Sequence, residues 1–292
     1  MNTINLQQFK ITQPVSIKDL PTKFSLDYSE KQIEKELKKT RKKLGDLQNT
    51  QYAHGKYAVL VCFQAMDTAG KDSLIREVFK DFNVRGVENH SFKVPSTKEL
   101  RYNYLWRHYV ALPQRGKYAV FNRTHYENVL ATRVHPQYIL NENIPGIDSV
   151  EDIDQAFWEK RFEQINNFEK TVAENGTIII KFFLNLSKEE QKFRLLRRLD
   201  KPNKNWKFSP GDLKERKLWD TYMKYYEDIF NKSSKEYAPW YSIPADDKPT
   251  ARLLVAKILL ETMEKYTDIV EPELPEELKA QIPDYIKQLE NE

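Results

Sequence analysis

The nonapeptide KYAVLVCFQ (residues 56–64) is short, apolar almost throughout and rich in β-formers. A run of this kind, without polar alternation, fits a strand buried on both faces, and such strands belong to parallel sheets covered by helices. The residues after it narrow the fold further. Nine of them, AMDTAGKDS (65–73), lead into a stretch where Leu74, Ile75, Val78, Phe79 and Phe82 recur at helical spacing. Strand, loop and helix in this order place a helix N-terminus against the loop, where orphan N–H groups and the helix dipole favour an anion.

The loop is close to the phosphate-binding pattern G-x-x-x-x-G-K-[ST], whose backbone N–H groups cradle phosphates while its lysine reaches them. Gly70 and Lys71 stand where that pattern needs them, which makes residues Ala69 to Ser73 candidate phosphate contacts. Two positions depart from it. Ala65 replaces the first glycine, and Asp72 occupies the Ser/Thr position with Ser73 one residue later. An ordinary turn, with Gly70 as its bend and Lys71 solvated, is the competing reading. Asp67 sits inside the loop, where a carboxylate repels phosphate unless a cation lies between them. It therefore points to Mg2+, with a loop-capping aspartate as the alternative.

Further strands fit residues 87–92, 117–122, 177–186 and 240–244. Helices fit 29–45, 97–108, 150–174, 188 onward, 210–231 and 250–265, with Ser29 and Ser187 as N-caps and Asn175-Gly176 as a C-terminal stop. Alternating strands and helices predict an α/β fold with a mainly parallel sheet. The expected organisation is an arm over 1–28, a single domain over 29–268 and an extension over 269–292. No apolar run reaches the ~18 residues that span a membrane, and the first fourteen residues lack the pattern of a secretory signal. A lone cysteine, Cys62, inside the first strand allows no internal disulfide, so a cytoplasmic location is expected. Charge is uneven along the chain. Residues 192–217 carry ten Lys/Arg against three acids, an excess larger than the +4 of the whole protein. A basic helix is often only a solvated face, but this concentration points to an anionic partner.

Four segments then resemble the family-2 polyphosphate kinases: FQAMDTAGKDSLIREVF (63–79), SFKVPSTKELRYNYLWR (91–107), YAVFNRTHYENVLATRVH (118–135) and LLRRLDKPNKNWKFSPGDLKERKLWDTYMKYYEDIF (195–230). WYSIPADDKPTARLLVA (240–256) extends the likeness, which covers about residues 30–265 in the family's order. The resemblance implies a thymidylate-kinase-like P-loop kinase fold, a three-layer α/β sandwich with a basic helical lid over about 188–217. It also implies Mg2+-dependent transfer, with Mn2+ as a substitute ion, between inorganic polyphosphate and AMP, ADP or ATP, with guanine nucleotides as further acceptors. Asn122 stands where many relatives carry aspartate, and it is usual in the branch acting on both mono- and diphosphates.

In that frame Asp67 holds the metal, and Lys71, Arg123 and Arg133 complete the catalytic set. Arg194, Arg197, Arg198, Lys204 and Lys207 join the loop residues on a polyphosphate track. Lys93, Trp106, Arg107, Asn122 and Glu127 border the nucleotide. The acceptor phosphate is already an anion, so charge compensation rather than a strong base is expected to dominate. For Arg133 a surface ion pair is an equal alternative, and Trp106 also fits a core position. His125 and His135 lack the spacing of a zinc site. An ATP-dependent nucleotide or nucleoside kinase of the same fold is the nearest rival function. A nucleic-acid-binding module using the basic segment is a distant one, and neither a nucleic acid nor a membrane partner is expected. A homo-oligomer, dimer or tetramer, is expected.

Overall fold

The structure, a computed structural model, describes residues 4–292, and the side chains of Lys204 and Lys207 lie outside that description. Five strands, β1 (Ala58–Gln64), β2 (Val87–Ser91), β3 (Tyr118–Asn122), β4 (Thr177–Asn185) and β5 (Trp240–Pro244), form a sheet in the order β2-β3-β1-β4-β5. Every pairing is parallel. The helices in chain order are α1 (Glu30–His54), α2 (Lys71–Val78), α3 (Trp106–Val110), α4 (Ala131–Val134) and α5 (Gln155–Glu174). They continue with α6 (Lys188–Asp200), α7 (Pro210–Lys217), α8 (Trp219–Ser233), α9 (Lys248–Met263) and α10 (Glu276–Glu290).

Strand periodicity sorts the core into two layers. Val59, Val61 and Phe63 of β1 face Leu37 and Leu44 of α1, Leu74 and Val78 of α2, and Leu254 and Ile258 of α9. Leu60 and Cys62 face the other way, onto Ile165 and Phe168 of α5 and Ile229 and Phe230 of α8. Both faces of β1 are therefore covered, which is why its sequence is unbroken by polar residues. The result is the α/β three-layer arrangement expected from the sequence.

Several boundaries differ from expectation, each for a local reason. Helix α1 does not stop at Gly45 but runs to His54 and ends at Gly55 in the left-handed region. Gly45 serves a close approach instead: a Cβ there would lie 2.5 Å from the Asp81 carbonyl. The helix expected over 97–108 is broken, because the Asn103 side chain accepts the Leu105 N–H at 2.9 Å and starts a new, short α3. Asp154 caps α5 through the Phe157 N–H, so that helix begins at Gln155 rather than 150. The helix expected over 210–231 divides at Leu218 into α7 and α8.

The N-terminal segment is packed rather than loose. Leu6, Phe9, Ile11 and Ile17 are buried, and the Ile11 N–H donates to the Trp240 carbonyl at 2.9 Å, covering the β5 edge of the sheet. At the other end α10 buries none of its residues. No helix among the described residues is long and apolar enough to cross a membrane.

Candidate active site

The loop after β1, the end of β3 and helix α6 surround a cavity of about 640 Å3 at the carboxyl ends of the strands, where open α/β sheets bind ligands. Its chemistry is one-sided. Among the described residues Lys71, Arg76, Lys93, Arg123, Arg194, Arg197, Arg198 and Lys248 line it, eight cationic side chains against the carboxylates of Asp67 and Asp72.

The floor is the phosphate loop. Gly70, with φ at +99°, turns the chain into α2 and is the residue from which that helix starts. Thr68, with φ at +67°, also lies in the left-handed region, which a β-branched residue rarely enters. Lys71 donates to the Ala65 carbonyl at 2.9 Å. Burial pulls its ammonium below the ordinary lysine pKa, against the opposing pull of Asp67. Ser73 turns its hydroxyl onto the Gly70 carbonyl at 3.0 Å. Ala69, expected as a phosphate contact, is buried and lies outside the cavity lining, its carbonyl accepting from Arg194 at 2.8 Å.

The strand-end pair closes one side. Asn122 donates to Asp72 at 2.7 Å, so the two departures from the usual phosphate-loop and strand-end residues are bonded to each other. Arg123, another non-glycine residue at positive φ (+60°), pairs with Asp67 at 3.0 Å and remains 46% exposed. Burial opposes its charge, but Glu127 and Asp67 outweigh that and hold the guanidinium pKa above its usual value. Glu127 accepts from Gln64 at 3.2 Å behind the pair.

Helix α6 forms the remaining wall, with α7 bonded to it from outside the lining. Arg197 is exposed on the cavity side, and Arg198 pairs with Asp212 of α7 at 3.2 Å. Burial, and then the Asp67 carboxylate, push the Asp212 carboxyl up. Lys204 and Lys207, expected on the same track, lie outside the described side chains.

Several expected site residues are placed otherwise. Arg133 is outside the cavity lining: its side chain, 7% exposed rather than on the surface, pairs with Asp228 at 2.8 Å and stacks 4.1 Å from the Tyr225 ring centre. Trp106 stacks on Tyr102 at 4.2 Å, and neither it nor Arg107 lines the cavity. Arg107 instead donates to the Lys93 carbonyl at 2.9 Å and so braces the stretch carrying Lys93, which does line it. Arg194 borders the cavity but engages its whole fork with protein oxygens. His125 meets Glu169 at 2.9 Å and His135 meets Glu215 at 3.0 Å.

Arg76 and Lys248 also line the cavity. Arg76 was legible as the residue four after Asp72, on the face of α2 opposite Leu74, Ile75 and Val78. Lys248 belongs to the Asp246-Asp247-Lys248 stretch, which by sequence reads equally as a border of the base pocket or as a charged loop; it opens α9 behind the Asp247 cap, and the tertiary fold brings that helix start to the phosphate loop.

An all-parallel α/β sheet with a glycine–lysine loop opening α2 and a cation-lined cavity at the strand ends defines a P-loop kinase-like protein. Residues 27–270 match the family model of polyphosphate kinase 2. The chain is 47% identical over 264 residues to the ADP-polyphosphate phosphotransferase of Rhodopseudomonas palustris, covering 89% of this chain and 90% of that one. It is 46% identical over 223 residues to the AMP/ADP-polyphosphate phosphotransferase of Meiothermus ruber, covering 76% and 78%. The crystal structure of polyphosphate kinase 2 from Arthrobacter aurescens superposes with a TM-score of 0.87 at 33% identity, over 96% of each chain. The chain belongs to the polyphosphate kinase 2 family.

Proposed function

We propose that this chain is a Mg2+-dependent phosphotransferase that moves phosphoryl groups between inorganic polyphosphate and nucleotides, converting AMP to ADP and ADP to ATP. The observation that carries the reading is the cavity's charge: among the described residues its cations outnumber its carboxylates even without Arg194, whose fork is taken up by protein oxygens, and that suits a ligand with many phosphates. The names of the relatives from Rhodopseudomonas palustris and Meiothermus ruber support the same donor and acceptors.

Phosphoryl transfer asks for alignment and for neutralisation of oxygens. In this reading Lys71 contacts the transferring group from the loop. Arg123 reaches it from the strand end, its guanidinium fork matching phosphate geometry. Arg197 and Arg198 hold the rest of the polyanion, and Lys93 borders the nucleotide. Arg133 braces α4 against α8 and has no direct part. The residues fit a magnesium ion: Asp67 lines the cavity 36% exposed, and Mg2+ binds through one or two carboxylates with the remaining positions left to water and phosphate. Among the described residues no group of three or more His, Cys, Asp or Glu side chains is placed to hold a metal. Held at Asp67, Mg2+ or Mn2+ supplies charge neutralisation on phosphoryl oxygens.

The reading extends to a cytoplasmic homo-oligomer. Leu278, Ile282, Tyr285, Ile286 and Leu289 make an exposed apolar stripe on α10 that a second copy would cover, and a monomeric mass by light scattering would remove that part. The activity is tested by incubating the protein with long-chain polyphosphate, Mg2+ and either ADP or AMP. Polyphosphate-dependent ATP and ADP are the expected products. ATP-dependent nucleotide phosphorylation without any use of polyphosphate would move the site to the ATP-dependent kinases.

A further inference from the structure

Arg194 lies on α6, in the basic segment, yet its contacts face the protein. Its five N–H donors meet five oxygens: Glu190 Oε1 at 2.7 Å, the Thr68 and Ala69 carbonyls at 3.4 and 2.8 Å, and the Ala245 and Asp246 carbonyls at 2.7 and 3.0 Å. One turn earlier, Gln191 donates to the Asp67 carbonyl at 3.0 Å. Three successive loop carbonyls, 67, 68 and 69, are therefore drawn toward α6. A planar trans peptide points its C=O and N–H in opposite directions, so the N–H edges of the same peptides turn away from α6. Oriented N–H groups are what a phosphate loop needs. The same pull accounts for Thr68 at positive φ, a conformation that the surroundings must impose.

Asp246 completes the arrangement. Its Oδ1 accepts the Ser187 N–H at 2.8 Å at the start of α6, and its Oδ2 accepts the Thr22 hydroxyl at 3.1 Å. Its own N–H donates to the Thr22 carbonyl at 3.0 Å, while its carbonyl accepts from Arg194. Four segments meet here: the N-terminal arm, the β4–α6 turn, α6, and the β5–α9 turn. Thr22 lies outside the stretch 27–270 matched by the family model.

We propose that Arg194 and Asp246 are positioning residues, which with Thr22 of the arm hold the phosphate loop in its anion-binding conformation, and that Arg194 does not contact the polyanion. The proposal rests on the polyphosphate reading of the cavity. Losing the planar fork in Arg194→Lys lowers kcat roughly 100-fold, the scale of a misplaced reacting group. In Arg194→Met, which removes the charge as well as the fork, the dependence of polyphosphate KM on salt stays as in wild type, because no ionic contact to the ligand is lost. Asp246→Ala lowers kcat in the same way and serves if Arg194→Lys folds poorly. Asp246→Asn rescues it, since the amide oxygen accepts from Ser187 and the amide NH2 donates to the Thr22 hydroxyl.

Two measurements decide the matter. Kinetics across a salt series overturn the proposal if Arg194→Met keeps kcat while its salt slope falls by about one, or if Asp246→Asn is as defective as Asp246→Ala. Hydrogen exchange on the protein alone must show faster exchange at residues 68–73 in Arg194→Lys and Asp246→Ala, with β1 amides unchanged. Equal loss of protection in β1 would reduce both residues to general stability and overturn the claim. Because exchange needs no substrate, it separates this proposal from the functional reading, which fails if wild type does not use polyphosphate.

Discussion

Two clusters of charge lie a single residue apart in the sequence and obey opposite rules. Behind β3, His125, Tyr126, Glu169 and Lys181 are fully buried. Glu169 accepts from His125, Tyr126 and Lys181 at 2.9, 2.9 and 2.6 Å, and Lys181 also reaches the Tyr126 hydroxyl and the Ser233 carbonyl. Burial pushes the Glu169 carboxyl up, but Lys181 and His125 more than offset it and hold it below the usual range. Every ammonium proton there has an acceptor. In front of β3, across Thr124, Arg123 opens onto a cavity whose cations far outnumber its carboxylates. A surplus of positive charge of that kind suits an anionic ligand. The closed cluster satisfies its charges within the protein; the open one faces the cavity. Arg133, a basic residue of the same stretch, belongs to the closed type.

Breaking the closed cluster has the larger expected effect. Glu169→Gln leaves the Lys181 charge buried without its counter-ion and lowers stability by about 3–5 kcal/mol, measurable by urea unfolding. A loss under about 1 kcal/mol would mean that Lys181 finds water or a new partner, and the distinction between the clusters would blur. In the open cluster the cost falls on activity. Lys71→Met lowers kcat by roughly 10²–10³-fold, the scale for removing one donor from developing charge, with unfolding stability little changed. Its titration sharpens the test. Lys71 is needed charged and its pKa in the free protein is depressed, so wild-type kcat/KM falls as pH rises through a value below the ordinary 10.5. The stability term runs the other way, since the cost of holding that charge is relieved over the same rise. An alkaline limb at or above 10.5 would contradict the desolvated environment assigned to Lys71. The smallest effect is at Arg197. Exposed and screened, its removal in Arg197→Ala raises polyphosphate KM about two- to fivefold with kcat retained. The salt slope falls by about one, and an unchanged slope would place Arg197 off the polyanion's path.

The sequence carried the βα unit at 56–79 in full, because apolar run, glycine–lysine pair and helical repeat are all local signals. The five strands were legible for the same reason. Boundaries strayed where a side chain competed with the backbone, as Asn103 does, or where a glycine served packing rather than termination, as Gly45 does. Arginine roles were the least legible. Composition and resemblance nominate Arg123, Arg133, Arg194 and Arg197 alike for anions, since the guanidinium group is the same in all four. What separates them is where the fork's oxygens come from: Asp228 for Arg133, loop carbonyls for Arg194, Asp67 and open space for Arg123, open cavity for Arg197. The sequence alone therefore determined the sheet, the phosphate loop and the sign of the ligand's charge, which follow from short-range pattern and from charge density. Only the tertiary structure decided which cations face that ligand and which brace the walls, because those partners lie as many as 126 residues apart along the chain.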